Sequence, residues 1–152
     1  DLTMRDYLSE IILSFKEISK KKFIFNFDQF SNVKKITKSI EIVYGLRNFI
    51  GNANKFSKNS IYINLKSDSE FTEITIEDDG NGYPKDVLSK IGEPYLRSND
   101  PIDKSKTGLG LGLFIGKTLL EKNFASINCR NSKTRSGAEV IIKWNNKDLF
   151  NI

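Results

Sequence analysis

Three groups of residues have the types and spacing for chemistry on a phosphorylated ligand. The first is Asp78-Asp79-Gly80-Asn81-Gly82-Tyr83-Pro84, carboxylates followed by two alternate glycines. A carboxylate at a strand end can accept from the exocyclic amine of a flat base such as adenine, while glycines without a Cβ let the chain turn closely around it. An ordinary Asp turn reads the same way, and the residues alone leave both roles open. The second group is Asn48 and Asn52, four apart, followed by Lys55 and Phe56. On a helix the two asparagines share a face. Asparagine is a poor interior helix residue, yet its amide oxygen is a neutral hard ligand suited to Mg²⁺. Lys55 stands one turn on, within reach of a phosphate, although two solvated asparagines would give the same pattern. The third group is Thr107-Gly108-Leu109-Gly110-Leu111-Gly112-Leu113-Phe114-Ile115-Gly116-Lys117, three alternate glycines opening into a helical pattern. Left-handed backbone angles there would present successive N–H groups as an anion cradle at a helix N-terminus. A flexible glycine loop is the plain alternative.

Two phosphate motifs can be set aside. Gly116-Lys117-Thr118 ends like a P-loop, but the first glycine of that motif would fall on Leu111. The dinucleotide fingerprint would need a glycine at Leu113 and a strand leading into the run, and has neither.

These groups need elements to hold them. Thr3 and Asp6 form a helix cap, followed at helical spacing by Met4, Tyr7, Leu8, Ile11, Ile12, Phe15 and Ile18. Phe23-Ile24-Phe25-Asn26-Phe27 reads as a strand before a polar stretch at 28–35. A second helix is expected over 37–55, with Ile40, Val43, Tyr44, Leu46, Phe49, Ile50 and Ala53 on its apolar side. Residues 60–66 and 71–77 alternate as a strand hairpin. A short helix at 84–91 and a long polar connection at 92–107 follow; directly ahead of the glycine run, that connection is expected to be a lid. The glycine-led helix precedes two strands at 125–130 and 138–144, and the tail at 145–152 has little pattern.

At 152 residues the chain is the size of one domain. No apolar run reaches the roughly 20 residues of a membrane span and no signal peptide is visible. The single cysteine, Cys129, has no partner for an internal disulfide, which fits a reducing cytoplasm. Net charge is +5, but the lysines are scattered apart from Lys20-Lys21-Lys22 at an expected helix end. No interleaved aromatic and basic residues mark a nucleic-acid groove.

Four stretches in order carry a resemblance. Residues 48–56 resemble the N box, Asp78-Asp79-Gly80-Asn81-Gly82 the G1 box, Gly92-Glu93-Pro94-Tyr95 the F box and residues 108–113 the G2 box of the ATP-binding catalytic domain of bacterial sensor histidine kinases. That domain belongs to the wider superfamily of gyrase, Hsp90 and MutL. The wording of the F and G2 boxes is similar to that of the redox-responsive RegB/PrrB kinases.

The resemblance implies a two-layer α/β sandwich, a mixed sheet of about five strands packed on three main helices. It implies ATP and Mg²⁺ as ligands. Asn52 would coordinate the metal, Lys55 contact phosphate, Phe56 lie against the base where many relatives have tyrosine, and Asn48 support the metal or polarise the reacting phosphate. Asp78 would receive the adenine amine, Gly80 and Gly82 shape the pocket, and Lys106, Thr107, Gly108, Leu109, Gly110, Leu111 and Gly112 hold the phosphates. Transfer to a histidine on a separate dimerisation and phosphoacceptor domain, and indirectly to a response regulator, would follow. The chain contains no histidine, so it cannot be its own acceptor; the resemblance implies that it is an excised piece of a longer, membrane-anchored sensor whose kinase part is cytoplasmic. An ATP-driven switch or ATPase without phosphotransfer is the alternative. Departures are Gly51 where relatives are often acidic, Gly92 and Tyr95 in place of phenylalanines, and Asn48 where gyrase-type relatives place a water-activating glutamate. Asparagine cannot act as that base.

Overall fold

The computed structural model describes residues 2–28, 34–37, 39–91 and 107–150. In chain order these form β1 (Leu2–Thr3), α1 (Met4–Lys16), β2 (Lys22–Phe27), β3 (Lys35–Ile36), α2 (Ile40–Phe56), β4 (Ser60–Ser67), β5 (Phe71–Asp78), α3 (Lys85–Ile91), α4 (Thr107–Lys122), β6 (Ser126–Asn131), β7 (Ala138–Asn145) and α5 (Asn146–Leu149). Five strands make a mixed sheet in the order β2-β4-β5-β7-β6, with β2 parallel to β4 and the other neighbours antiparallel. The long helices α1, α2 and α4 cover one face, giving the α/β sandwich expected.

Period-two alternation in the strands builds the interface between the layers. Ile61, Ile63, Leu65, Ile74, Ile76, Val140 and Ile142 are all buried, and the register sets Ile63 opposite Ile76 and Ile76 opposite Val140. Each such side chain contributes about 1.5–3 kcal/mol by leaving water. Trp144, fully buried, satisfies its indole by donating to the Asn123 carbonyl at 3.0 Å. Both caps are side-chain oxygens: Thr3 Oγ1 accepts from Asp6 N–H on α1 and Ser39 Oγ accepts from Ile42 N–H on α2, each at 3.2 Å.

Helices α2 and α4 approach closely because glycines face bulky partners. A Cβ on Gly45 would stand 2.6 Å from Leu120 Cγ, and one on Gly116 2.8 Å from Phe49 Cε2. This contact rephases α2 relative to the sequence expectation. Ile40 and Tyr44 are 65% and 58% exposed, while Ile42 and Gly45 join Leu46, Phe49, Ile50 and Ala53 inside. Gly45 adds nothing to a hydropathy pattern, yet it marks the centre of the buried stripe. The helix also starts at Ile40 rather than 37, because Lys35–Ile36 pairs with Leu2–Thr3 as a short ribbon. Ile18 lies past the end of α1 and is 82% exposed. The patternless tail contains α5, anchored by buried Leu149 and by Asn146, which accepts from Thr72 Oγ1 and donates to the Asp68 carbonyl.

Candidate functional site

A cavity of about 370 Å³ opens between the C-terminal half of α2, the end of β5, the loop after it and the start of β7. Asn52, Lys55, Phe56, Asp78 and Gly82 line it together, with Ile76, Val140 and Val87 as apolar walls. One side is thus fit for a flat apolar ring and the other for charge.

Asp78 is 3% exposed. Its Oδ1 accepts from Gly80 N–H at 2.8 Å and from Ala138 N–H at 3.3 Å. Burial pushes its carboxyl above the usual value, and the two backbone donors only partly offset that. With Oδ1 engaged, Oδ2 is the oxygen left to accept from a ligand. Asp79, its neighbour, faces the other way: Oδ1 accepts from the N–H groups of Lys58, Asn59 and Ser60 at 2.8, 3.0 and 3.2 Å. Partial burial would raise this carboxyl, but those donors hold it below its ordinary value. The paired aspartates therefore divide into one that lines the cavity and one that ties down the α2–β4 turn.

The loop between them and α3 admits no bulk. A Cβ on Gly80 would collide with the Phe56 carbonyl, and one on Gly137 with the Asp78 backbone. Gly82 has φ +80°, which side-chain-bearing residues rarely adopt. Asn131 then clamps the next peptide: its Oδ1 accepts from Tyr83 N–H at 2.6 Å and its Nδ2 donates to Tyr83 O at 3.2 Å. Beneath, burial raises the Tyr83 phenol well above its ordinary value and pushes the Cys129 thiol up to about 11, with a hydrogen bond from Tyr83 opposing the latter. Cys129 is therefore a protonated packing residue at neutral pH.

Asn52 sits where α2 meets α4. A Cβ on Gly112 would stand 3.0 Å from Asn52 Oδ1 and 3.1 Å from Nδ2, so the amide lies flat against that glycine. Its Nδ2 is buried and has no hydrogen-bond partner among the described residues, an orphan that a phosphate oxygen would satisfy. Asn48 Nδ2 donates one N–H to the Tyr44 carbonyl at 2.8 Å, which leaves its oxygen and its second N–H to act outward. Lys55 Nζ lies 5.3 Å from the centroid of the Phe56 ring, which is 41% exposed at the cavity edge.

The glycine run differs from its expected form. Thr107, Gly108, Leu109, Gly110, Leu111 and Gly112 are already inside α4, and Gly82 is the positive-φ glycine among the described residues. Gly112 and Gly116 are there for close approach to Asn52 and Phe49, not for left-handed angles. The N–H groups of a first helical turn still lack intrahelical partners, so the start of α4 keeps the capacity to bind an anion. Lys106, the F-box stretch at 92–95 and nearly all of the expected lid lie outside the described residues.

The residues present fit a magnesium ion held mainly by its ligand. Among the described residues no cluster of three or more His, Cys, Asp or Glu side chains could hold a metal alone. A single amide oxygen supplemented by phosphate oxygens and water suits an ion that keeps much of its hydration. Sequence reasoning missed Asn131, Gly137 and Lys21. The first two carry only a lone turn residue as a signal, and Lys21 was masked by its lysine neighbours.

The family model for histidine kinase-, DNA gyrase B- and HSP90-like ATPases matches residues 37–148. The sensor histidine kinase RegB of Cereibacter sphaeroides is 36% identical over 119 residues, 68% of this chain and 26% of the relative. The sensor histidine kinase CpxA of Escherichia coli is 29% identical over 87 residues, 57% of this chain and 19% of that protein. The chain thus spans about a quarter or less of the length of these relatives. Among solved structures, the catalytic domain of histidine kinase ThkA superposes with a TM-score of 0.73 at 20% identity, covering 95% of both chains. Mycobacterial sensor histidine kinase MprB gives 0.70 at 20% identity, again over 95% of both. These two likenesses concern the fold.

Proposed function

The chain belongs to the histidine kinase-, DNA gyrase B- and HSP90-like ATPase family, and from that premise we propose that it binds Mg-ATP and presents the γ-phosphate to a histidine on a separate phosphoacceptor domain in two-component signalling. The observation that carries this reading is the meeting, in one cavity, of the buried Asp78 acceptor with Asn52 and Lys55. Asp78 Oδ2 receives the adenine amine between the walls of Ile76 and Val140. Asn52 and Lys55 face the phosphates, and Asn52 Oδ1 is the protein's metal ligand. Mg²⁺, when bound, neutralises phosphate charge. The protein's share is orientation and charge, which is most of what phosphoryl transfer requires. Asn48, an amide tied to Tyr44, offers no base for water, which favours transfer over hydrolysis. In this reading the parent protein is anchored in a membrane and holds this domain on the cytoplasmic side; no described helix is long and apolar enough to cross a membrane.

The chain has no histidine, so the acceptor is another domain. Incubation with γ-labelled ATP should leave this chain unlabelled and place acid-labile phosphate on a cognate phosphoacceptor domain added in trans. Phosphate release with no labelling of a verified cognate acceptor at any concentration would favour the ATP-driven switch instead.

A further inference from the structure

We propose that Lys21, in the turn between α1 and β2, is a positioning residue for nucleotide recognition, holding the last turn of α2 at the separation from the Asp78 loop that the base requires. The inference rests on the nucleotide reading of the cavity.

Lys21 Nζ donates to the Asn54 carbonyl at 2.7 Å and to the Ser57 carbonyl at 2.5 Å. These lie at the C-terminus of α2, where carbonyls lack intrahelical partners and the helix dipole favours a cation. Ser19 completes the grip: its Oγ donates to Asn54 Oδ1 at 2.6 Å and accepts from Lys21 N–H at 3.1 Å. Between the two gripped carbonyls stand Lys55 and Phe56, both lining the cavity. The Phe56 carbonyl in turn abuts Gly80 so closely that a Cβ there would collide with it. The turn at 19–21 therefore fixes one wall of the cavity against the loop that carries the acceptor.

The ammonium also acts on Asp78 itself. Burial first, and then the neighbouring Asp79 charge, disfavour the Asp78 carboxylate; the Gly80 and Ala138 N–H groups favour it most, and the Lys21 charge adds a smaller contribution in the same direction. Among the described residues Tyr83 from the following loop also acts on Asp78, Lys55 lines the same cavity, and β7 contributes the Ala138 N–H. Only the ionised carboxylate offers all its lone pairs to the base amine. Loss of the Lys21 charge raises the pH at which Asp78 takes up a proton, so nucleotide binding fails earlier on acidification.

The test is calorimetric titration of the chain with a non-hydrolysable ATP analogue and Mg²⁺ from about pH 8 to pH 4. Absence of binding by the unaltered chain would overturn the nucleotide reading, independently of Lys21. Lys21→Met removes donors and charge: it should weaken binding about tenfold at neutral pH and begin its acid loss at higher pH. Lys21→Gln keeps N–H donors one bond shorter but no charge, so it should lose less affinity at neutral pH and show the same acid shift. If Lys21→Met fails to fold, Lys21→Gln decides. Unaltered affinity and acid profile in the variants, or weaker binding with an unmoved acid profile, would overturn the proposal, since a merely structural lysine moves no pH profile.

Discussion

Replacing Asp78 by asparagine tests the site where its geometry is most constrained. Oδ1 is held by two backbone donors, Gly80 N–H and Ala138 N–H, and asparagine can keep its oxygen there. The amide NH₂ must then take the place of Oδ2 and point a donor at the donating amine of adenine. A charge-assisted hydrogen bond of about 1.5–3 kcal/mol is lost, and two facing donors go unsatisfied at a further cost of about 1–3 kcal/mol. A loss near 3 kcal/mol is about two orders of magnitude in Kd. Stability should move the other way. Burial holds the folded carboxyl above its unfolded value of 3.8; a raised carboxyl stabilises the fold below that unfolded value, and the contribution disappears as pH rises through the folded one. At neutral pH the ionised Asp78 is therefore a cost, and ligand-free Asp78→Asn should melt at the same temperature or higher, with the difference shrinking as pH falls toward 4. Calorimetric titration with an ATP analogue and melting curves at both pH values read the two effects. A hypoxanthine nucleotide, whose exocyclic carbonyl oxygen accepts where the adenine amine donates, should close much of the gap in the variant. Unchanged ATP affinity would remove Asp78 from the site, and a melting temperature lowered along with affinity would show that the variant damages the fold.

Asn52→Ala should abolish the Mg²⁺ dependence of nucleotide binding with little change in melting temperature, because the amide it removes already holds an unpartnered Nδ2; retained Mg²⁺-dependent affinity and transfer would end the metal-ligand assignment. Asp79→Ala strips three N–H groups of their acceptor and should cost about 1–2 kcal/mol, a fall of several degrees in Tm. Because this carboxyl is held low, its contribution is present above the unfolded value of 3.8 and fades as pH falls through the folded one, so wild type and variant should converge in acid melts. Gly116→Ala improves helix propensity by about 1 kcal/mol yet forces a methyl onto the buried Phe49 ring. Overpacking of about 1–3 kcal/mol should prevail, and a rise in Tm would show that α2 and α4 can separate freely.

The layered fold was legible because strands at 60–66 and 71–77 alternate cleanly and the first helix opens on its Thr3 cap, whereas the Ser39 cap that starts the second was not read. The phase of α2 was not, since hydropathy counts the exposed Ile40 and Tyr44 and ignores Gly45, where Leu120 lands. The same limit hid the nature of the glycine run: a glycine required by a neighbour's bulk and one required by its own backbone angle look identical in a sequence. Asp78 and Asp79 are adjacent and chemically equal, and their separation into cavity-lining and turn-holding groups arises from the alternation of side-chain directions at the strand end and from N–H groups about twenty residues away. Lys21 and Asn131 act on backbone atoms of remote elements, and no local pattern encodes that.

Strand β5 is hydrogen-bonded on one side to its hairpin partner β4 and on the other to β7, a strand from the far end of the chain. The hairpins β4–β5 and β6–β7 need only short loops and can form on local contacts, whereas joining them requires closure of a long intervening segment. The cavity takes its walls from both sides of that joint, so loop-closure entropy predicts that it is completed late. A ligand that recognises only the completed cavity cannot guide folding; it acts by lengthening the life of the folded state, slowing unfolding while the folding rate stays as it was. The persistence of this domain in a cell would then rise and fall with the nucleotide pool.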